Sequence, residues 1–192
     1  MTKIILASNS PQRKILLRQA GIRFSTVPSK VKEIPRIKTT CADLVKENAR
    51  LKAADVASRM NEGLVIGADT LVFDGKSKII GKPENLKEAR TILKRLFSGA
   101  HWVYTGVVLI DVSTGRVLTA CEKTKVYMNT LSDAEIDEYH RRVSPLDKAG
   151  GFDIEGHGAL FIRRIEGCYT NVIGLPMARL RKMLKTMGVV VF

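Results

Sequence analysis

The 192-residue sequence predicts a mixed α/β or α+β architecture, with room for two lobes around a cleft. Three observations lead there. Strand-like and helix-like apolar patterns alternate through the first half, but not as a clean run of strand–helix–strand units. Two longer strand patterns, roughly 101–111 and 116–129, then follow one another across a "VSTG" turn. The apolar content of 45% suits a globular chain long enough to bury a proper core.

The elements follow in order. Residues 3–7 read as a strand and 11–20 as a helix, with Ser10 as N-cap, Pro11 at the first helical position and Gly21 closing it. A strand is expected at 22–27 and a loop or irregular strand at 28–40, where Pro28 and Pro35 fall among charges. Apolar residues at 44, 45, 49, 53, 56 and 60 form one stripe of a helix over 41–60. "LVIGADTLVF" is a buried strand interrupted by Gly-Ala-Asp, and "DGKSK" a hairpin turn into a short strand at 78–80. A helix is expected at 86–97. Ser132 and Glu135 form a capping box that opens a helix reaching about 142. Residues 145–158, rich in Gly and Asp, read as irregular. A strand at 159–165, a turn at Gly167, a helix at 176–187 and a strand at 189–192 complete the chain. The whole, 1–192, reads as a single domain.

Composition narrows the function. No apolar stretch approaches the roughly 20 residues that span a bilayer, and the first residues do not read as a signal peptide. A cytoplasmic protein with no membrane association is expected. Cys41, Cys121 and Cys168 are odd in number and far apart, and three scattered histidines offer no zinc-type spacing. There are 32 Lys and Arg against 19 Asp and Glu, a net charge of +13. Through Lys52 the count is 12 basic to 3 acidic residues, so +9 of the excess lies in the first 52 positions. Such a field draws anions: nucleic acid, acidic lipid or polyphosphate.

Local motifs sharpen that. Ser8, Ser10 and Arg13 cluster at the start of the first helix, whose free N–H groups and positive dipole end suit a phosphate. Arg13 and Lys14 are unfavourable there unless an anion neutralises them; a capped helix with solvated cations is the plainer alternative. No Walker loop occurs. Asp69 breaks an apolar run and is either satisfied by a turn or placed for chemistry, as general base or cation ligand. Lys82, in "IIGKP", and Lys52, at the edge of a buried helical face, are further candidates for phosphate oxygens, against the plainer readings of hairpin loop and snorkelling. Glu33 is one of the three early acids.

Taken in order, "LASNSPQRKILL", "LKAADVA", "GADTLV", "GKP", "YTGV", "LDKAGGFDIEG" and "NVIGLPMARL" resemble the Maf family of nucleoside triphosphate pyrophosphatases from about residue 4 to 185. The resemblance implies a two-lobed fold on a twisted mixed β-sheet flanked by helices, a nucleotide cleft between the lobes, and a homodimer. It implies hydrolysis of the α–β bond of a nucleoside triphosphate to monophosphate and pyrophosphate, with Mg2+ or Mn2+ as cofactor. Ser8, Ser10, Arg13, Lys52 and Lys82 match the family's phosphate-binding positions. Glu33 matches a metal-binding acid. Asp69 matches the residue that accepts the proton of the attacking water, or that holds metal and orients that water. Asp147 and Lys148 match a further cleft segment.

Departures from the family pattern concern the base. Thr70 and "YTNVIGLP" lean toward the dTTP/UTP branch. Gln12 stands where that branch has Arg, and Glu155, where it has Gln, points toward 7-methyl-GTP. A carboxylate only accepts hydrogen bonds, whereas a carboxamide both donates and accepts, so the exchange alters what a base edge meets. Turnover of dTTP and UTP is the primary expectation and 7-methyl-GTP or another modified nucleotide the alternative. A nucleic-acid-binding protein, or a regulator of septum formation and growth, is the competing class. Without helix-turn-helix, RNP-type aromatics or Cys/His fingers, no stable nucleic-acid partner is expected.

Overall fold

The computed structural model describes residues 2–35 and 40–191. It forms two compact units. The first holds residues 1–69, 105–122 and 174–192; the second holds 70–104 and 123–173.

A seven-stranded mixed sheet provides the frame. Its strands are β1 (Ile4–Leu6), β2 (Ser25–Thr26), β3 (Leu64–Phe73), β4 (Ile79–Ile80), β5 (His101–Asp111), β6 (Val117–Met128) and β7 (Ile162–Glu166). They lie in the order β2-β1-β3-β5-β6-β7, with β4 paired to β3. β1 runs parallel to β2 and β3, whereas β3–β4 and β6–β7 are antiparallel. The helices are α1 (Pro11–Gln19), α2 (Cys41–Ala57), α3 (Leu86–Phe97), α4 (Asp133–Arg142), α5 (Tyr169–Ile173) and α6 (Met177–Thr186). No described helix is long and apolar enough to cross a membrane.

In the first unit, α2 packs its stripe on the sheet. Ala49, Ala53 and Val56 meet Ile5, Val65 and Val108, all fully buried. That approach needs bare backbone in the strands beneath. A side chain at Gly67 would strike Ala49 O and Ala53, and one at Gly106 would strike Val45. Gly67 therefore does not interrupt β3: the strand passes unbroken through Gly-Ala-Asp, and Asp69 is a strand residue rather than a turn aspartate. The chain reaches this layer through α1. Ser10 accepts from Arg13 N, Pro11 opens the helix, and Gly21 at φ +68 closes it. There Ile22 N donates to Leu17 O and Gly21 N to Arg18 O, the paired bonds of a glycine-terminated helix.

The second unit builds its own core. Leu93 and Leu96 of α3 and Ile136 and Tyr139 of α4 close over Val103 and Val126, joined by Phe152 and Phe161. The expected capping box at Ser132 and Glu135 is present. The β3–β4 turn is pinned by Asp74, whose Oδ1 accepts from the backbone N–H of Lys76, Ser77 and Lys78 while Oδ2 accepts from Arg95 Nε at 2.6 Å. Burial pushes the Asp74 carboxyl up, but these donors outweigh it and hold the group well below the usual carboxylate range.

Several expectations change at their edges. The strand expected at 22–27 shrinks to two residues, because only Ile5 and Leu6 of β1 pair with it. Residues 28–35 form neither strand nor helix; 36–39 of that expected loop lie outside the described residues. The helix expected to reach residue 60 ends at Ala57, and the strand expected at 159–165 starts at Ile162, after a 3-10 turn over Gly156–Leu160. A second such turn spans Ala149–Gly151 within the expected irregular stretch. Residues 189–191 form no strand, and Phe192 lies outside the described residues. The short helix α5 was not expected. Asn171 ties it to the sheet, donating to Val103 O at 3.0 Å and Thr124 Oγ1 at 2.9 Å.

Candidate active site

The first unit contains seven of the predicted site residues, and Lys52 joins two of them. From α2 its Nζ reaches Asp69 Oδ1 of β3 at 2.7 Å and Glu33 Oε1 of the β2–α2 connection at 2.6 Å. The Lys52 side chain is 12% exposed and that of Asp69 8%, so this pair is largely withdrawn from water, while Glu33 is 59% exposed. Lys52 is thus no snorkelling surface cation. It bridges two acids contributed by separate elements.

Arg13 is the second buried cation. Its Nε donates to Gly174 O at 2.8 Å and its Nη1 to Ser8 Oγ at 3.0 Å. Burial lowers the guanidinium from its ordinary value, opposed by the charges of Asp69 and Glu33. The expectation that Arg13 stays frustrated until an external anion arrives is therefore modified: protein carboxylates already act on it. Around it, Ser10 N donates to Ser8 Oγ at 3.2 Å and Ser10 Oγ to Gln12 Oε1 at 3.2 Å.

Asn48 was missed. It lies on α2, one turn before Lys52, and is buried. Its Oδ1 accepts from Ile34 N at 2.8 Å, and its Nδ2 donates to Ile34 O at 3.1 Å and Asp69 Oδ2 at 3.3 Å. One amide thereby fixes the backbone beside Glu33 and orients the Asp69 carboxylate. The available signal was an Asn at position 48, beside Ala49 of the apolar stripe, where an unpartnered amide is costly.

The remaining predicted residues belong to the second unit. Lys82 is exposed in the loop after β4, as expected. Thr70 follows Asp69 along β3 and points to the opposite face by strand alternation. Glu155 stands at the N-terminus of the Gly156–Leu160 turn. Asp147 and Lys148 hold each other at 2.7 Å, and Lys148 Nζ also donates to Ser144 O.

Glu33 and Asp69 aim carboxylate oxygens at one cationic point, now held by the Lys52 ammonium. That donor set fits a hard divalent cation, which commonly takes one or two carboxylates and completes its shell with water and phosphate oxygens. Among the described residues no three His, Cys, Asp or Glu side chains converge as a metal cage. The arrangement can therefore bind anionic oxygen through Arg13, Ser8 and Lys52, and can present an ordered carboxylate to a neighbouring proton.

A mixed sheet with Arg13 of α1, Lys52 of α2 and Asp69 of β3 withdrawn from water around it defines an α/β protein with a charged, largely buried site. A solved structure of a HAM1 protein from Coxiella burnetii shares this fold, with TM-score 0.50 and 17% identity, covering 67% of this chain and 73% of that one. The family described as Maf-like protein matches residues 3–187, and the chain belongs to it. Its relatives include the dTTP/UTP pyrophosphatase of Pelotomaculum thermopropionicum, 43% identical over 98% of each chain. The protein of the same name from Dictyoglomus turgidum is 44% identical, covering 97% of this chain and 96% of that one.

Proposed function

We propose that this protein hydrolyses the α–β phosphoanhydride bond of dTTP and UTP, consuming one water and releasing the nucleoside monophosphate and pyrophosphate. The observation that carries the reading is the Lys52 bridge between Asp69 and Glu33, in a chain that matches enzymes of that name along nearly its whole length. A triphosphate brings about four negative charges, so positioning and charge neutralisation supply most of the acceleration. Arg13, held in place by Gly174 O, offers its guanidinium with Ser8 and Ser10 to the phosphate oxygens, and Lys52 adds charge for the departing pyrophosphate; Lys82, in the second unit, has that role through the family resemblance alone. Asp69, oriented by Asn48 and Lys52, takes the proton of the attacking water.

Glu33 and Asp69 are the residues that would hold Mg2+ or Mn2+, which would neutralise phosphate charge; with the cation on Asp69, that carboxylate would orient the water instead of taking its proton. In this reading the choice of base is assigned to Gln12, Thr70 and Glu155 through the family resemblance alone. The divalent cation, the homodimer and the cytoplasmic location belong to it through the family resemblance alone.

The test is a panel of dTTP, UTP, CTP, GTP and 7-methyl-GTP with Mg2+ or Mn2+, followed by product identification. Fastest turnover of dTTP or UTP with pyrophosphate as product is expected. Orthophosphate as product, or turnover of none, overturns the reaction; fastest turnover of 7-methyl-GTP transfers the assignment to that branch through Glu155.

A further inference from the structure

The second unit's portion of the sheet has one closed face and one open one. Val103, Val126, Ile162 and Ile165 pack with the core. Strand alternation turns Trp102 and Tyr104 of β5 and Lys123, Lys125 and Tyr127 of β6 the other way. The β6–β7 register sets Glu166 beside Lys125 and Arg164 beside Tyr127, and a bulge follows at Tyr127 and Met128.

These side chains form a continuous lattice of rings and cations. Lys123 Nζ stands 5.3 Å from the Trp102 ring and 5.4 Å from that of Tyr104. Lys125 Nζ stands 5.3 Å from Trp102 and 5.1 Å from Tyr127. The guanidinium carbons of Arg163 and Arg164 lie 5.9 and 4.4 Å from Tyr127. None of the seven is buried. Glu166 lies on this face beside Lys125 and is already engaged by Arg164 at 2.6 Å and the Tyr127 hydroxyl at 3.0 Å. Four cations thus outnumber the acid, and three rings lie between them. Nothing in the proposed hydrolysis uses this surface.

We propose that this three-stranded face binds single-stranded nucleic acid, its bases stacking on Trp102, Tyr104 and Tyr127 and its phosphates meeting Lys123, Lys125, Arg163 and Arg164. Stacking rings spaced along a sheet accept splayed bases of any sequence, and flanking cations follow the backbone. The cations now over the rings hold them by weak exposed contacts and have the reach to swing to phosphate. Other occupants fit less well. A second copy related by a two-fold axis would set like charges against each other. Duplex DNA keeps its bases stacked and paired, so the three rings would find no splayed base to stack on. The expectation of no nucleic-acid partner rested on missing RNP-type motifs. Here the rings come from β5 and β6 and two of the cations from β7, so no contiguous motif announces them.

Trp102 is the chain's single tryptophan, so its fluorescence reports on the face directly. Titration of the full chain with a thymidine 12-mer at low salt, with EDTA present, is expected to quench it saturably. Affinity should fall with salt at a log–log slope of about −2 to −3, as three to four released counterions require. A large excess of dTTP should leave the curve unchanged. Lys123→Glu with Lys125→Glu should weaken binding at least tenfold and flatten the slope. Tyr127→Leu should weaken it several-fold with circular dichroism unaltered. Absence of quenching, displacement by dTTP, or binding by both variants as tight as the parent's overturns the proposal. Equal titration by inorganic polyphosphate or by phosphatidylserine vesicles overturns it too, because charge alone would then be read.

Discussion

Lysine is used in two opposite ways in this molecule. In the first unit Lys52 is nearly buried and locked between Asp69 and Glu33, and Arg13 is buried within the field of the same two acids. In the second unit Lys123 is exposed and Lys125 partly so, both standing over aromatic rings, with Glu166 as the acid beside Lys125. A buried ion cannot be left alone, since removing its partner strands a charge away from water at a cost of several kcal/mol. An exposed cation over a ring contributes only about 0.5–1 kcal/mol and keeps its charge available to a ligand. The first arrangement suits reproducible geometry around one reacting group, the second a surface that meets a flexible polyanion.

Substitutions can break this contrast, the largest effect coming from Asp69→Asn. It keeps the shape and Asn48's neighbourhood but removes the proton acceptor, so pyrophosphate release should fall by at least about a thousandfold while the protein still folds. Undiminished release would refute the role given to Asp69. Lys52→Met comes next. Stranding the Asp69 carboxylate should lower stability by about 3–5 kcal/mol in urea denaturation; a change under 1 kcal/mol would mean that the bridge is not load-sharing in solution.

Acid separates the second unit's core from both charged regions. His101 is fully buried edge-to-face against Phe152, and neither ring nitrogen has a hydrogen-bond partner among the described residues. Burial pushes its pKa down from 6.5 to about 4. The unfolded chain therefore binds this proton first as pH falls, so His101 contributes nothing destabilising above 6.5 and costs stability progressively between 6.5 and about 4. The loss should approach about 3 kcal/mol, and His101→Phe should abolish that part of the pH slope. An unchanged slope in the variant would place the acid sensitivity elsewhere. Smallest of all, Lys125→Met should leave the urea midpoint almost unmoved. A loss comparable to that of Lys52→Met would erase the distinction between the two regions.

Much of the fold was legible because its signals are local. Ser10-Pro11, Gly21 and the Ser132–Glu135 box specify helix ends through bonds made within a turn of chain, and the α2 stripe announces which side is buried. The motif order singled out Ser8, Arg13, Lys52 and Asp69, which the fold brings into contact as two pairs. Gly67 misled for a non-local reason: it serves the close passage of α2, which strand periodicity does not report. The edge strand β2 and the short helix α5 were likewise misjudged, since their extent depends on the partners they find in β1 and through Asn171.

The sequence by itself determined the family, the helix boundaries set by caps, and the residue types that carry the family resemblance. Tertiary structure decided that Asp69 faces Lys52 and Asn48 from within a strand, that Arg13 is anchored on Gly174, and that rings and cations from three strands share one open face. Those relations join residues up to 161 positions apart, and such proximity is created only when the strands pair and α2 settles on the sheet.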